Sequence, residues 1–293
     1  MRSDQIKAFV AVADCGSITS AARDTGIKRS TLSASLSVLE DELNVQLFQR
    51  SGNSIELTPI ARAILPDCRR LLHNTELINQ RCAQHMQGTE TELRIARDDA
   101  LPEAFWRSTM NRLKAEFPLT AVSVYLLPPQ ELAQFVQKQS VDLAFGLEYA
   151  NAEQTLGETL APVQMHLVAA SSHPLSSMPN IEESDLASYT QVTLAHLAND
   201  RIITDALYST NYLGLTLFEV MRDAVKSGSG WAWLPEPLIL NELQKGELSQ
   251  LRYQEATLGF VYQSFQLGSP GPAATFLRNQ VIHFLQHKAN NPA

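Results

Sequence analysis

The sequence predicts an α/β protein with an all-α N-terminal part, and three observations support that prediction. Residues 1–58 hold three amphipathic helical segments followed by two short strands. The next 30 residues or so keep a seven-residue apolar repeat. From residue 91 onward, short apolar strands alternate with helices, which is the pattern of parallel sheets covered by helices. At 293 residues, the chain is long enough for each part to have its own core.

The first 58 residues follow the order helix, helix, helix, hairpin, which is typical of a winged helix-turn-helix domain. Ser17 or Thr19 can cap the second helix, and Gly26 can end it. The third helix, from about residue 30 to 43, presents an apolar face made of Leu32, Leu36 and Leu39. The segment VQLFQRSGNSIELT then predicts strand, turn, strand, because Ser-Gly-Asn suits a tight hairpin.

Residues 59–90 are predicted to form a linker helix. Thr58 and Pro59 mark its start, since a hydroxyl caps a helix and proline is favoured at its first position. Alternating steps of four and three residues then define a coiled-coil seam, which is the natural dimerisation surface. That seam consists of Ile64, Cys68, Leu71, Thr75, Ile78 and Cys82. Pro66 lies inside the helix at a cost of roughly 3 kcal/mol, so we expect a kink there.

The alternation of strands and helices over residues 91–293 predicts two α/β lobes, with a ligand cleft at the carboxyl ends of their strands. The first lobe is expected over about 91–161 and 268–293, and the second over about 162–267. The last helix would thus return to the first lobe, as in a periplasmic-binding-protein clamshell.

Composition and charge restrict the classes of protein. The chain is 44% apolar and 18% charged, as in an ordinary globular protein, and no apolar run reaches the roughly 18 residues of a membrane span. The N-terminus lacks a signal-peptide pattern, and the three cysteines (Cys15, Cys68, Cys82) are expected to be reduced, so we expect a cytoplasmic protein. Residues 1–87 carry 10 basic and 9 acidic side chains, whereas residues 88–293 carry 13 and 22. Any contact with DNA must therefore depend on local placement of charge.

The stretch FVAVADCGSITSAARDTGIKRSTLSASLSVLEDELNVQLFQRSGNSIELT resembles the DNA-binding block of LysR-type transcriptional regulators. The shared spacings are F-x-x-V, G-S-[FI]-T-x-A-A, S-x-x-[IL]-x-x-L-E-x-x-L, L-F-x-R and L-T. The later segments VDLAFG, SSHPL, SGSGWAWLP and SPGPAATFLRNQVIHFL are more loosely similar to the family's effector domain. The resemblance implies a bacterial DNA-binding regulator that is switched by a small molecule.

The segment KRSTLSAS begins the recognition helix and departs from the family, which usually has Ser-Gln-Pro at residues 28–30. Arg29 could contact guanine O6 and N7 in the major groove, while neighbouring hydroxyls and Lys28 suit phosphates. The alternative is that Lys28 and Arg29 only solvate the start of a helix. Arg50, at the wing, would reach a phosphate or the minor groove. The predicted DNA-binding residues are Ser17, Lys28, Arg29, Ser30, Thr31, Ser33, Ser37, Arg50 and Asn53.

The resemblance also implies an antiparallel homodimer through the linker helix, with homotetramers common in the family. Cys68 and Cys82 lie 14 residues apart on the seam, so antiparallel pairing centred on Thr75 would bring Cys68 near the other copy's Cys82. A redox role is one interpretation. The other is that both cysteines fill the seam as small apolar side chains.

The effector is expected between the lobes, near helix N-termini. In the segment RDDALPEAF the family often has Ser or Thr to hold an effector's carboxylate, whereas Asp98 and Asp99 would repel an anion. Three interpretations are open. One of the two Asp residues caps the following helix toward solvent, or the pocket prefers a cationic, amide or hydroxyl-rich ligand, or the cleft binds no small-molecule effector. The predicted effector-binding residues are Asp98, Asp99, Ala100, Pro129, Gln130, Leu147, Glu148, Thr193, His196, Leu197, Ser229 and Gly230.

Two other classes of protein compete with a regulator. For an enzyme, His166, His173 and His196 lack metal-ligand spacing, and HFLQH at 283–287 lacks a glutamate base. No nucleophile elbow, P-loop or dinucleotide fingerprint occurs either, so we expect no catalytic residue, metal or cofactor. A solute-binding protein would not need residues 1–87. The expected partners are promoter DNA, further copies of the chain and a small-molecule effector, with RNA polymerase as a further candidate.

Overall fold

In the computed structural model, the described residues are 1–51, 54–149, 157–198, 201–253 and 259–289. They belong to two compact units, Met1–Met86 and Gln87–Ala293. The described α-helices are α1 (Ser3–Cys15), α2 (Ile18–Thr25), α3 (Arg29–Leu43), α4 (Pro59–Met86), α5 (Glu103–Glu116), α6 (Pro129–Gln137), α7 (Glu183–Ala187), α8 (Phe218–Lys226), α9 (Glu236–Gln244) and α10 (Pro272–Ala289). None of them combines the length and apolar character needed to span a membrane.

The described strands fall into the wing and two larger sheets. They are β1 (Phe48–Ser51), β2 (Ser54–Leu57), β3 (Glu92–Arg97), β4 (Ala121–Leu126), β5 (Leu143–Tyr149), β6 (Glu158–Val163), β7 (Met165–Ala170), β8 (Gln191–Ala198), β9 (Arg201–Thr204), β10 (Tyr212–Leu215), β11 (Trp231–Pro235), β12 (Leu248–Gln250) and β13 (Phe260–Gln266).

The first unit is a winged helix-turn-helix domain, as the sequence predicts. Helices α1–α3 pack around a core of side chains that includes Phe9, Val12, Leu32, Leu36 and Leu39. Strands β1 and β2 pair antiparallel and form the wing. The Glu40 carboxylate accepts the N–H groups of Leu47 (2.7 Å) and Phe48 (3.2 Å), so a side chain of α3 holds the start of the wing.

Short-range turn chemistry sets the ends of these helices. The Ser17 hydroxyl accepts the N–H of Ser20 at 3.0 Å and caps α2, which ends at Gly26 with φ of 68°. Helix α3 ends at Asn44, whose φ of 52° is left-handed. Asparagine is, after glycine, the residue that best tolerates this backbone conformation.

Helix α4 begins where Thr58 and Pro59 predict it to begin. The Thr58 hydroxyl accepts the N–H of Ala61 at 3.3 Å and donates to the Gln46 carbonyl at 2.8 Å, so it both caps α4 and anchors it to the segment that leads into the wing. The helix continues through Pro66 to residue 86. A bend at Pro66 stays a prediction.

The second unit has two sheets, which we use to define its lobes. Lobe I contains β4-β3-β5-β13-β6, in which β3 is parallel to β4 and β5, and β13 is antiparallel to both neighbours. Lobe II contains β10-β8-β11-β7-β12, with β9 paired to β8. The chain crosses between the lobes at β6–β7 and again after β12, and the last helix follows β13.

One apolar core extends through both lobes. It includes Trp106 and Phe145 of lobe I together with Leu194, Phe218 and Met221 of lobe II. Trp231 is fully buried, and its indole N–H donates to the Leu186 carbonyl at 3.0 Å, so this residue belongs to the core of lobe II. The lobes are therefore packed against one another rather than separated by solvent.

Candidate functional site

The predicted recognition face lies on α3 and is open to solvent. Six predicted DNA-binding residues (Lys28, Arg29, Ser30, Thr31, Ser33 and Ser37) are exposed at the start of this helix and along it. Its opposite face carries the buried leucines of the core. Ser17, the remaining described contact of the turn, is half-buried because its hydroxyl caps α2. This arrangement leaves one polar helix face available to a large partner.

The electrostatics at the start of α3 are unusual. Lys28 is the N-cap residue and makes no side-chain cap, Arg29 is the first helical residue, and the first turn has no acidic side chain. The N-terminus of a helix is its positive pole, so two cations there oppose the macrodipole instead of complementing it. No ion pair with a described residue offsets either cation. Phosphate oxygens would satisfy both the free N–H groups and the two cations.

The structure describes only part of the predicted DNA-binding surface of the wing. Arg50 lies in β1 opposite Ile55 of β2. The side chain of Arg50 and all of Asn53 lie outside the described residues, so their contacts with DNA stay predictions. Glu56, the one ionisable side chain described on β2, is exposed and acidic.

The predicted seam of α4 is divided between two environments. Ile64 and Cys68 pack against the core of their own unit, beside α1 and α3. Burial raises the pKa of the Cys68 thiol, and the nearby Asp67 adds to this effect. Further along, Leu71 is 39% exposed and Ile78 is 60% exposed, and Cys82 is exposed as well. The apolar side chains from Leu71 onward are those that need a partner.

A small cavity of about 70 Å³ lies between the two lobes of the second unit. Its walls come from Pro129, Gln130, Leu147, Glu148 and Phe260 of lobe I and from Leu194, Asp205 and Phe218 of lobe II. That volume is about two water molecules' share of the liquid, whereas ligand sites usually measure roughly 300–1,000 Å³. The described residues of the two lobes therefore enclose only a small space at this place.

Asp98 is fully buried behind the cavity wall. Its carboxylate accepts the N–H of Leu147 (2.7 Å), the N–H of Ala100 (3.2 Å) and the hydroxyl of Tyr262 (3.1 Å). Burial raises the pKa of Asp98 to about 7, although these three donors oppose the rise. The same desolvation, together with the adjacent carboxylate, raises the pKa of Tyr262 well above its usual range. Asp98 thus organises the strand that carries Leu147.

Asp99 connects the two lobes. Its carboxylate accepts the N–H of Glu219 at the start of α8, at 2.8 Å, and only 4% of the residue is exposed. Burial raises the pKa of Asp99, while the N–H groups of Glu219 and Phe218 and the charge of Arg97 oppose this effect. The sequence suggested that an Asp here caps the following helix toward solvent. The structure differs, because Asp99 caps a helix of the other lobe.

Comparison with known proteins agrees with this architecture. Residues 3–62 match the model of the bacterial regulatory helix-turn-helix protein, lysR family, and residues 86–279 match that of the LysR substrate binding domain. The chain belongs to the LysR family. LysR-family proteins with these two domains are transcriptional regulators, which have a DNA-binding helix-turn-helix and an effector-binding domain.

Individual members of the LysR family are similar along most of the chain. A probable nitrogen assimilation transcriptional activator of Synechococcus elongatus is 25% identical, covering 82% of this chain and 81% of its own. The transcriptional regulator AceR of Acinetobacter baumannii is 26% identical, with 100% and 99% covered. The solved structure of the Corynebacterium glutamicum OxyR C206 mutant has a TM-score of 0.59 at 18% identity, covering 99% of this chain and 96% of that one.

The LysR-family cleft gathers some predicted residues and leaves others apart. Pro129, Gln130, Leu147 and Glu148 line the cavity. Asp98 is hydrogen-bonded to the lining residue Leu147, and Asp99 to Glu219, which follows the lining residue Phe218. The described lining does not include Ala100, Thr193, His196, Leu197, Ser229 or Gly230. Leu197 is 60% exposed, and Gly230 lies so close to Thr190 that an added Cβ would stand 2.0 Å from its carbonyl oxygen. Gly230 therefore has a packing reason to be glycine.

Three cavity residues of lobe II and one of lobe I were not predicted from the sequence, namely Leu194, Asp205, Phe218 and Phe260. Leu194 lies one residue from the predicted Thr193, so a strand's alternation could have indicated it. Asp205 follows β9, a strand that the sequence did not predict. Burial raises the pKa of Asp205, and the charge of nearby His196 opposes this rise.

Proposed function

We propose that this regulator binds its operator through the α3 face, with Arg29 selecting a base pair and Lys28, Thr31, Ser33 and Ser37 setting register on phosphates. Ser17, Ser30, Arg50 and Asn53 complete the proposed contacts. Support comes chiefly from the start of α3, where two exposed cations oppose the helix dipole and no acidic side chain stands in the first turn. Such a start costs helix stability unless an anion completes it.

The same proposal gives the chain an oligomeric form and a trigger. The exposed apolar residues Leu71 and Ile78 support pairing of α4 in a homodimer, which presents two recognition helices to one operator. Homotetramers would follow from contacts between second units. A small-molecule effector would act at the cleft by binding one arrangement of the lobes better than another. The change of arrangement would alter the spacing or the bend of the bound operator DNA, and this would alter the access of RNA polymerase to the promoter. Neither catalysis nor a cofactor is needed for this mechanism.

The test uses the full chain and DNA from the region upstream of its own gene. We expect a gel shift at low salt, where phosphate contacts are strongest. Selection from a randomised operator library should show that Arg29→Ala relaxes preference at one base pair, a loss of about 1–3 kcal/mol in discrimination. Arg50→Ala should weaken binding to all sequences similarly and reduce the salt slope by about one.

Arg70→Ala is the matched control, because Arg70 is an exposed arginine of the same unit that pairs with Asp67 on α4. It removes the same charge and should leave both base preference and salt slope as in the wild type. If wild type gives no shift at low salt, the proposed function is wrong. If Arg29→Ala and Arg50→Ala lose affinity and specificity equally, the two roles are wrongly assigned.

A further inference from the structure

Two helix N-termini from different lobes meet beside the cleft, and each is capped by the other lobe. The Asp99 carboxylate, which precedes α5 in lobe I, accepts the N–H of Glu219 in α8 at 2.8 Å. In return the Glu219 carboxylate accepts the N–H of Glu103, the first residue of α5, at 3.4 Å. These residues are more than 110 positions apart in the chain. The pair therefore forms a reciprocal cap between the lobes.

Neither helix can satisfy this end from its own N-cap residue. The N-cap residues are Pro102 for α5 and Leu217 for α8, and neither makes a side-chain cap. The first N–H groups of a helix lack internal partners and form a positive pole, which binds carboxylates and phosphates. Among the described side chains, the carboxylate that accepts an N–H at the start of α8 is that of Asp99, whereas Glu219, in the first turn of α8, accepts an N–H of α5 instead.

The surroundings of Asp99 are those of a binding site for an anion. The carboxylate is 4% exposed, and Arg97, which is 7% exposed, stabilises its charge. Arg97 also pairs with Glu103 and lies over the Trp106 ring at 5.1 Å. Its Nε is buried without a partner among the described residues. A buried cation and converging N–H groups are what a protein uses to hold a carboxylate ligand.

We propose that Asp99 is a built-in anion that latches α8 of lobe II to lobe I, so that the lobes close without an anionic effector and small anions are excluded from this place. This inference rests on the proposed function in treating the cleft as the effector site. The cavity beside the latch agrees with it, because its described ionisable lining residues are both acidic, Glu148 and Asp205. The effector that this cleft accepts is accordingly neutral or cationic.

The latch is tested by replacing Asp99 and supplying an anion from solution. Thermal unfolding of the full chain would be followed in sodium acetate and in sodium chloride at equal ionic strength. Wild type should respond identically to the two salts. Asp99→Ala should melt several degrees lower and regain most of that loss in acetate, with saturation, because a ligand that binds only the folded state raises its stability by mass action.

Asp205→Ala is the matched control, since it removes a carboxylate from the same cavity but not from a helix end. It should show no preference for acetate over chloride. Asp99→Ser keeps a hydroxyl for the helix end and leaves room for an anion, so it gives the same test if Asp99→Ala does not fold. Equal acetate responses in wild type and variants, or no acetate response in either Asp99 variant, would overturn the latch.

The readout separates this inference from the proposed function. The acetate experiment measures the temperature of thermal unfolding, and it needs no DNA. A wild-type chain that shifts no DNA would refute the regulator's proposed contacts, while acetate rescue of Asp99→Ala would still support the latch. Conversely, normal operator binding without any rescue would refute the latch only.

Discussion

The start of α3 and the start of α8 place charge at a helix N-terminus in opposite ways. At α3 the charges are cations, Lys28 and Arg29, exposed and without acidic neighbours in the first turn. At α8 the charge is the Asp99 carboxylate, which comes from another lobe and is almost completely buried. The first arrangement opposes the helix dipole and the second complements it. The start of α3 is thus a surface to which an anion could bind, whereas the start of α8 already has a carboxylate of the protein bound to it.

This difference determines what a substitution should change. Exposed residues away from caps usually alter stability by less than about 0.5 kcal/mol, so changes on the α3 face should affect binding rather than folding. Buried carboxylates in the cleft take part in packing, hydrogen bonding and proton binding at once. Substitutions there should change stability, and should do so in a pH-dependent way.

The largest effect is expected for Asp98→Asn. The folded-state pKa of Asp98 is about 7, above its ordinary value of 3.8, so between about pH 4 and 7 the folded chain keeps a proton that the unfolded chain releases. The stability contribution of Asp98 is therefore present at low pH and is lost as pH rises toward 7. The free energy of unfolding of Asp98→Asn, taken relative to that of wild type, should therefore increase by roughly 2–4 kcal/mol as the pH rises from 4 to 8. Denaturant unfolding of both proteins at each pH measures this difference.

Asp142→Asn is a control of opposite sign. Asp142 accepts the Arg94 N–H at 2.8 Å and pairs with the Arg94 guanidinium at 2.6 Å, and this partner lowers the pKa of Asp142 below its ordinary value. Its contribution is present above the ordinary pKa and is lost on acidification. Asp142→Asn should accordingly be more harmful at pH 8 than at pH 4. A pH-independent difference between Asp98→Asn and wild type would show that Asp98 is ionised throughout.

The sequence alone predicts much of the fold because several signals are local. Ser17, Gly26, Thr58 and Pro59 set helix ends through contacts within a few residues, and the structure has those ends. Helix α9 was not predicted, although Pro237 lies in its first turn, where proline is favoured. Strands β6, β9, β10 and β12 were missed as well. These short strands have little periodicity and depend on pairing with distant neighbours.

The candidate sites show the same division. The α3 face could be identified from spacing, because a helix places residues three and four apart on one side. The partner of Asp99 could not, since the N–H that it accepts lies 120 residues away in another lobe. Gly230 was predicted as a cleft residue because it lies at the end of a predicted strand, whereas its φ of 155° and the closeness of Thr190 depend on the tertiary structure.

A smaller effect is expected at Ser17, where capping and DNA contact can be separated. Ser17→Ala removes the acceptor for the Ser20 N–H and should lower the free energy of unfolding by about 1 kcal/mol. Ser17→Asp restores an N-cap acceptor and should recover that stability, but its negative charge should weaken binding to DNA phosphates. Ser33→Ala, on the exposed face of α3, should leave stability unchanged. If Ser17→Asp binds DNA like wild type, Ser17 is a cap and not a DNA contact.

The smallest effect is expected at the two seam cysteines. Cys68 packs against the core of its own unit, and its raised pKa leaves little thiolate at neutral pH, which disfavours oxidation. Cys82 is exposed. Combining Cys68→Ser with Cys82→Ser should therefore change stability by no more than about 1 kcal/mol and leave sedimentation and operator binding under peroxide as in wild type, with Cys15→Ser as control. A peroxide-induced covalent dimer in wild type that the double variant lacks would instead show that the antiparallel seam brings Cys68 to the other copy's Cys82. The α4 seam would then be a redox contact as well as an apolar one.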